Sequence, residues 1–245
     1  MDFTITKYKE LLNALRFHNN FTIRHDVDLR PEYSLRIAQV EASLGIKATY
    51  YFREMHFVSH ATIIKAISAL GHAIGYHYEN LTTCRGNVED AYKDFRTNLE
   101  KLRHLAPVKT ACAHGSPKSP WNSQDIWRKY NIHELGIEYE PMLDTDFSNT
   151  LYLTDTGRQW DGYRVSVRDK VPEYQEIWEQ QGLSFHSTDE IIHALKNTEH
   201  TIHSLNLLIN THPQRWMPFG TNWVLEASMQ NIKNIAKRIL VCTKY

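Results

Sequence analysis

Phe21-Thr22-Ile23-Arg24-His25-Asp26-Val27-Asp28, followed from Pro31 by a segment that ends at Gly45, decides how this chain is read. The first stretch has the β-branched and aromatic content of a strand. Pro31 suits the first turn of a helix, and Tyr33, Leu35, Ile37, Val40, Ala42 and Leu44 then recur at amphipathic-helix spacing. Gly45 supplies the stop. Working outward, Ala48-Thr49-Tyr50-Tyr51-Phe52-Arg53 predicts a second strand, and Ala61 to Leu70 a helix closed by Gly71. Ala73 to Tyr78 predicts a third strand. The helix after it, from Val88 to Leu105, carries Glu89, Lys93, Arg96, Glu100 and Arg103 on a solvated face. Thr110 to His114 is a short fourth strand, and Ser123 to Tyr130 a helix.

Residues 132 to 168 are less regular, with strand-like pieces at Leu151-Tyr152-Leu153-Thr154 and Tyr163-Arg164-Val165-Ser166-Val167. Regularity returns with a helix at Thr188 to Leu195, a strand at Leu205 to Asn210 and a last helix from Asn222 to Arg238. Alternation of this kind implies an α/β fold with a mainly parallel sheet, closed as a barrel or open and doubly wound. A GxGxxG or Walker pattern, which would favour a nucleotide fold, is absent.

The length, 245 residues, fits one barrel, so residues 1–245 read as a single domain. A formal net charge of +0 without a long basic run argues against nucleic acid or an anionic membrane as partner. The amino terminus is too polar for a secretory signal, and no stretch approaches the roughly 18 apolar residues of a membrane span. Cys84, Cys112 and Cys242 stand alone, which fits free thiols in a reducing compartment, and the chain reads as cytoplasmic.

Polar residues gather at the strand ends. Strand side chains alternate faces, so Asp26 and Asp28 share one face, opposite His25 and Val27. Two close carboxylates serve as metal ligand plus general base, as an acid/base dyad, or simply as a helix cap or arginine partner. By the same alternation His77 and Glu79 fall together, and imidazole with carboxylate suits zinc, manganese or iron. His114 and His212 each close a strand. Since parallel strands present their carboxyl ends on one side, Asp26, Asp28, His77, Glu79, His114 and His212 are expected at one mouth. The loop Thr154-Asp155-Thr156-Gly157-Arg158-Gln159-Trp160-Asp161-Gly162 combines an acid, an arginine and an indole, suited to gripping a polar ring or to a plain surface loop.

From about residue 20 to 215 the chain resembles the polysaccharide deacetylase family, the NodB-type carbohydrate esterases. The resemblance lies in the acidic strand end at Ile23 to Asp28, in Leu44-Gly45-Ile46-Lys47-Ala48-Thr49 with its aromatic strand, in Leu70-Gly71-His72-Ala73-Ile74-Gly75-Tyr76-His77, and in Thr211-His212-Pro213. It implies a deformed parallel (β/α)7-8 barrel that removes N- or O-acetyl groups from a carbohydrate or N-acylated sugar with a divalent metal, Zn2+ first among them. It assigns Asp26 as catalytic base, Asp28 as metal carboxylate, His77 as first metal histidine and His212 as general acid. The family's second histidine falls where this chain has Leu81, so Glu79 or His114 takes its place, His114 being the closer chemical match. Arg158 and Trp160 correspond loosely to the family's arginine and tryptophan segment and, with Arg24, are assigned to substrate binding. Two other readings compete: a degenerate barrel that binds a glycan or metabolite without hydrolysing it, and another metal amidohydrolase on a similar barrel. The sequence leaves the oligomeric state open.

Overall fold

The computed structural model describes residues 1–116, 119–162 and 169–242. Pro117 and the strand-like run from Tyr163 to Val167 lie outside the described residues. In chain order the elements are α1 (Ile5–Leu15), β1 (Phe21–Val27), α2 (Pro31–Ser43), β2 (Thr49–Phe52), α3 (Ala61–Ala69), β3 (Ala73–Tyr78), α4 (Asn80–Thr83), α5 (Val88–Arg103), β4 (Val108–Ala113), α6 (Pro141–Asp144), β5 (Thr150–Thr154), α7 (Pro172–Gln180), α8 (Thr188–Lys196), β6 (Asn206–Thr211) and α9 (Thr221–Cys242). The α/β class with parallel strands is as the alternation implies. Among the described residues six strands pair, and β4 and β5 are the edges.

Contacts divide the chain into two compact units. One, the central unit, is His25–Thr145; the other, the terminal unit, is Met1–Arg24 with Asp146–Tyr245. In the central unit the end of β1 is followed by β2, β3 and β4 in hydrogen-bonded order. β3 runs parallel to both neighbours, pairing Phe52 with Tyr76, His77 with Cys112 and Tyr78 with Ala113. Its strands are buried on both faces, as parallel strands covered by helices must be. At Gly75 a Cβ would lie 2.4 Å from the Tyr51 ring, whose hydroxyl shares a 2.7 Å hydrogen bond with Thr110. Only glycine lets that ring cross β3 here.

Side-chain alternation in β1 divides the central unit chemically. His25 turns to a fully buried network in which its Nε2 lies 2.8 Å from Glu41 Oε1 and the Tyr50 hydroxyl donates to Glu41 Oε2. Asp26 points to the other face. The helices follow their local signals. Asn87 caps α5 by accepting from Asp90 N, with Glu89 and Asp90 in the first turn and Lys101 and Arg103 in the last, each sign matched to the helix dipole.

In the terminal unit the start of β1 is followed by β6 and then β5, which runs parallel to β6 with Thr154 opposite Asn210. Among the described residues four helices go beyond the sequence reading: α1, α7 and the short α4 and α6. α1 buries Tyr8, Leu11, Leu12 and Leu15, an i, i+3, i+4, i+7 stripe, and Thr4 caps it. Within the helix expected from Ser123 to Tyr130, Ser123–Arg128 is a 3-10 segment. No helix among the described residues is long and apolar enough to cross a membrane. Cys84 and Cys112 are free thiols.

Candidate active site

The ends of the central unit's strands bring Asp26, Asp28, His77 and His114 together. Asp26 is inside β1, Asp28 is the first residue beyond it, His77 is inside β3, and His114 is the first residue beyond β4. Asp28 Oδ1 lies 3.6 Å from His77 Nε2 and 3.5 Å from His114 Nε2. One ligand atom from each of Asp28, His77 and His114 falls within 4.8 Å of the other two. Asp26 Oδ2 stands beside them, 3.9 Å from His77 Nε2. The loop carrying Asp28 is fixed by its own N–H, which donates to Asp26 O at 3.1 Å, and by the buried His56, whose Nε2–H donates to Asp28 O at 3.0 Å.

The tautomers follow from the acceptors. His77 Nδ1 lies 3.0 Å from Cys112 O, and a carbonyl only accepts, so Nδ1 carries the proton and Nε2 turns to the carboxylates. His114 Nδ1 lies 2.9 Å from Glu79 Oε2 and donates to it for the same reason. Burial disfavours a charged His77, but Asp26 and then Asp28 outweigh it and raise its pKa above the ordinary value. The pocket therefore favours positive charge at His77 Nε2, whether a proton or a metal ion supplies it.

This donor set fits a divalent ion. Two ligands bound at about 2.1 Å with tetrahedral angles sit roughly 3.4 Å apart, and the Asp28 carboxylate meets each imidazole at close to that spacing. Three protein ligands of N and O type are the number that catalytic metal sites use, whereas structural zinc sites use four.

Glu79 is placed differently from His77. β3 ends at Tyr78, and Glu79 has φ −137° and ψ 26°, outside the extended range, so strand alternation no longer governs its side chain. It turns to Arg53, whose Nε donates to Oε1 at 3.0 Å and whose Nη2 makes a second hydrogen bond to the same oxygen, and to His114. Burial raises the Glu79 pKa, but the bonds from His114 and Arg53 outweigh it and bring it down to about 2.

The terminal unit holds the remaining candidates. His212 Nδ1 lies 2.7 Å from Asp155 Oδ1, and its backbone N–H donates to Asp155 Oδ2 at 3.0 Å. Arg215 Nη1 donates to the same Oδ1 at 2.5 Å, and the Trp216 indole N–H to Oδ2 at 2.7 Å. Arg215 Nη1 also lies 2.8 Å from His212 Nδ1, since both groups converge on one carboxylate oxygen. Burial works against ionised Asp155, yet Arg215 and His212 prevail and bring its pKa down to about 2. Sequence reasoning did not assign Asp155 a role. Its only signal was an acid directly after a strand, inside a loop suited equally to gripping a polar ring or to a plain surface turn.

Trp160 is fully buried, and its N–H donates to Thr188 Oγ1 at 2.9 Å. Arg158 pairs with Glu226 and stacks over the Trp223 ring at 4.5 Å. Arg24 is buried, with its guanidinium 5.6 Å from the centre of the Tyr152 ring. Each of the three thus has partners inside the protein.

No family model matches the chain, and no curated protein matches it. Among solved structures it is similar to family 4 carbohydrate esterases. A Streptococcus mutans CE4 esterase is 14% identical, with 95% of this chain and 86% of that one covered at a TM-score of 0.47. A family 4 carbohydrate esterase from Bacillus anthracis is 12% identical, covering 94% and 86% at 0.44. A CE4 family pseudoenzyme from the same organism is 9% identical at 0.46, over 89% of this chain, which spans 62% of the pseudoenzyme's length.

Proposed function

We propose that this protein is a metal-dependent hydrolase that removes an acetyl or similar acyl group from an amino sugar or a polysaccharide or glycolipid precursor. The single observation that carries this reading is the meeting of Asp28, His77 and His114 ligand atoms within 4.8 Å, with Asp26 beside them. Asp28, His77 and His114 would hold the ion, with Zn2+ the best match to two imidazoles and one carboxylate. A bound divalent ion supplies a Lewis acid for acyl hydrolysis. Asp26 accepts the proton of the attacking water. Asp28 and the two imidazoles stay in place as ligands, their orientation held by His56, Cys112 and Glu79. His212 is the proposed proton donor to the leaving amine or alkoxide. Asp155 supports that role by fixing the Nδ1 proton, which leaves Nε2 to carry the transferred one.

The test pairs metal analysis of the purified protein with acetate release from N-acetyl sugars and activated acetyl esters. The expected result is about one divalent ion per chain and a bell-shaped pH profile, with turnover falling roughly a hundredfold or more in Asp26→Asn at unchanged metal content. Metal-loaded protein that binds a glycan, releases no acetate and is indifferent to Asp26→Asn would instead be a glycan-binding barrel.

A further inference from the structure

Four residues occupy equivalent places in the central unit: Asp28, Arg53, Glu79 and His114 are each the first residue beyond β1, β2, β3 and β4. Three of them are joined in series. Arg53 donates twice to Glu79 Oε1, and Glu79 Oε2 accepts from His114 Nδ1, so the two carboxylate oxygens are divided between the arginine and the imidazole. His114 needs such a constraint more than His77 does. His77 is inside a strand, fully covered, with Nδ1 on a backbone carbonyl that cannot move independently of β4. His114 lies outside its strand with Gly115 next to it. Its backbone N–H donates to Tyr78 O at 2.8 Å and, among the described residues, its carbonyl accepts only from the neighbouring loop, from Ser116 N at 3.0 Å, so its ring is not held by the strand pairing. The position where the sequence resemblance expects a histidine is not available for a ligand. Leu81 is 3% exposed and packs in a cluster with Ala91 and Ile126.

We propose that Arg53 and Glu79 are a positioning pair that holds His114 in the tautomer and orientation needed to ligate a divalent cation, making an imidazole from β4 serve in place of one at position 81. Glu79 fixes the proton on Nδ1 and makes Nε2 a better donor. Arg53 keeps the carboxylate turned to His114 and offsets its charge, so that Glu79 does not swing in to compete as a ligand. A carboxylate behind a ligating histidine typically contributes ten- to a hundredfold in metal affinity. This inference rests on the metal site of the proposed function, but it needs no substrate.

The experiment measures Zn2+ affinity of the full-length protein by competition with a chromophoric chelator, in a double-mutant cycle. Wild type, Glu79→Gln, His114→Ala and the double variant are compared, with circular dichroism showing that each is folded. Glu79→Gln is expected to weaken Zn2+ binding about ten- to a hundredfold in the wild-type background and to have almost no further effect once His114 is alanine. Arg53→Gln is expected to give a smaller loss, and Arg53→Lys to recover part of it. An equal loss from Glu79→Gln in both backgrounds overturns the proposal, because Glu79 would then act by charge alone. Wild-type affinity in a folded Glu79→Gln protein overturns it as well. A wild-type protein with no Zn2+ affinity overturns both this pair and the metal reading, whereas tight Zn2+ binding with the predicted cycle but no acetate release leaves the pair standing and removes only the hydrolase.

Discussion

The central and terminal units each build a histidine on the same plan, and the plan does not decide what the histidine does. His114 donates Nδ1–H to Glu79, which Arg53 backs; His212 donates Nδ1–H to Asp155, which Arg215 backs. Both carboxylates are brought down to about pKa 2 by these partners. The difference lies in the surroundings. His114 turns Nε2 to the Asp28 carboxylate at 3.5 Å, with His77 beside it. Asp155 is wholly buried and saturated by Arg215, Trp216 and the His212 backbone, whereas Glu79 keeps a quarter of its side chain exposed. A carboxylate behind an imidazole therefore fixes its tautomer and orientation without choosing its role. In the proposed reading a second carboxylate in front makes His114 a cation ligand, and a rigid, saturated carboxylate behind leaves His212 to exchange a proton.

The largest effect should come from exchanging the two histidines' fates. His114→Ala is expected to strip bound metal, measured by metal analysis after dialysis. His212→Ala is expected to keep the metal and lose turnover by roughly a hundredfold or more, and less with substrates carrying good leaving groups. Metal loss in His212→Ala would make it a ligand and end the distinction.

The carboxylates come next. Asp155→Asn should lower turnover by a similar factor at unchanged metal content, because an amide in place of the carboxylate no longer enforces the Nδ1–H tautomer. It should also change acid stability. The folded pKa of Asp155 is depressed from 3.8 to about 2, burial being outweighed by Arg215 and His212, so its contribution is present above pH 4 and is lost as pH falls towards 2. The shift corresponds to on the order of 2 kcal/mol. Unfolding free energies measured between pH 4 and 2 should fall less steeply in the variant than in wild type. The partly exposed Glu79 is screened by solvent and should leave a shallower mark.

How much of this was legible in the sequence depends on how local the cause is. The order of strands and helices was readable because period-2 and period-3.6 patterns are written into contiguous residues. Asp26, Asp28 and His77 followed from alternation in β1 and β3, and the first two do approach the same His77 nitrogen. Glu79 departs from that rule because its own backbone, at φ −137° and ψ 26°, has left the extended range, a turn that alternation does not foresee. Asp155 was invisible as a partner of His212 because the pairing spans 57 residues and its loop has no periodicity. The same loop hid Trp160, since Gly157, Arg158 and Asp161 all take positive φ there and turn the chain in ways that period reasoning does not follow.

Trp160 gives the smallest and sharpest test, because a substrate contact and a core residue predict opposite readouts. Its ring is fully buried, near Phe3 and Trp216, and its one polar atom is satisfied by Thr188 Oγ1 at 2.9 Å. Trp160→Phe keeps an aromatic ring in the cluster and removes the N–H. Thr188 still donates its hydroxyl to Asp2, so the loss is one buried hydrogen bond and the volume of the smaller ring. The expected cost is about 1 to 2 kcal/mol, read as a lower denaturation midpoint at unchanged slope. KM for an N-acetyl sugar should stay within about twofold of wild type, since uniform substrate binding is not touched. A several-fold rise in KM at unchanged stability would return Trp160 to the substrate.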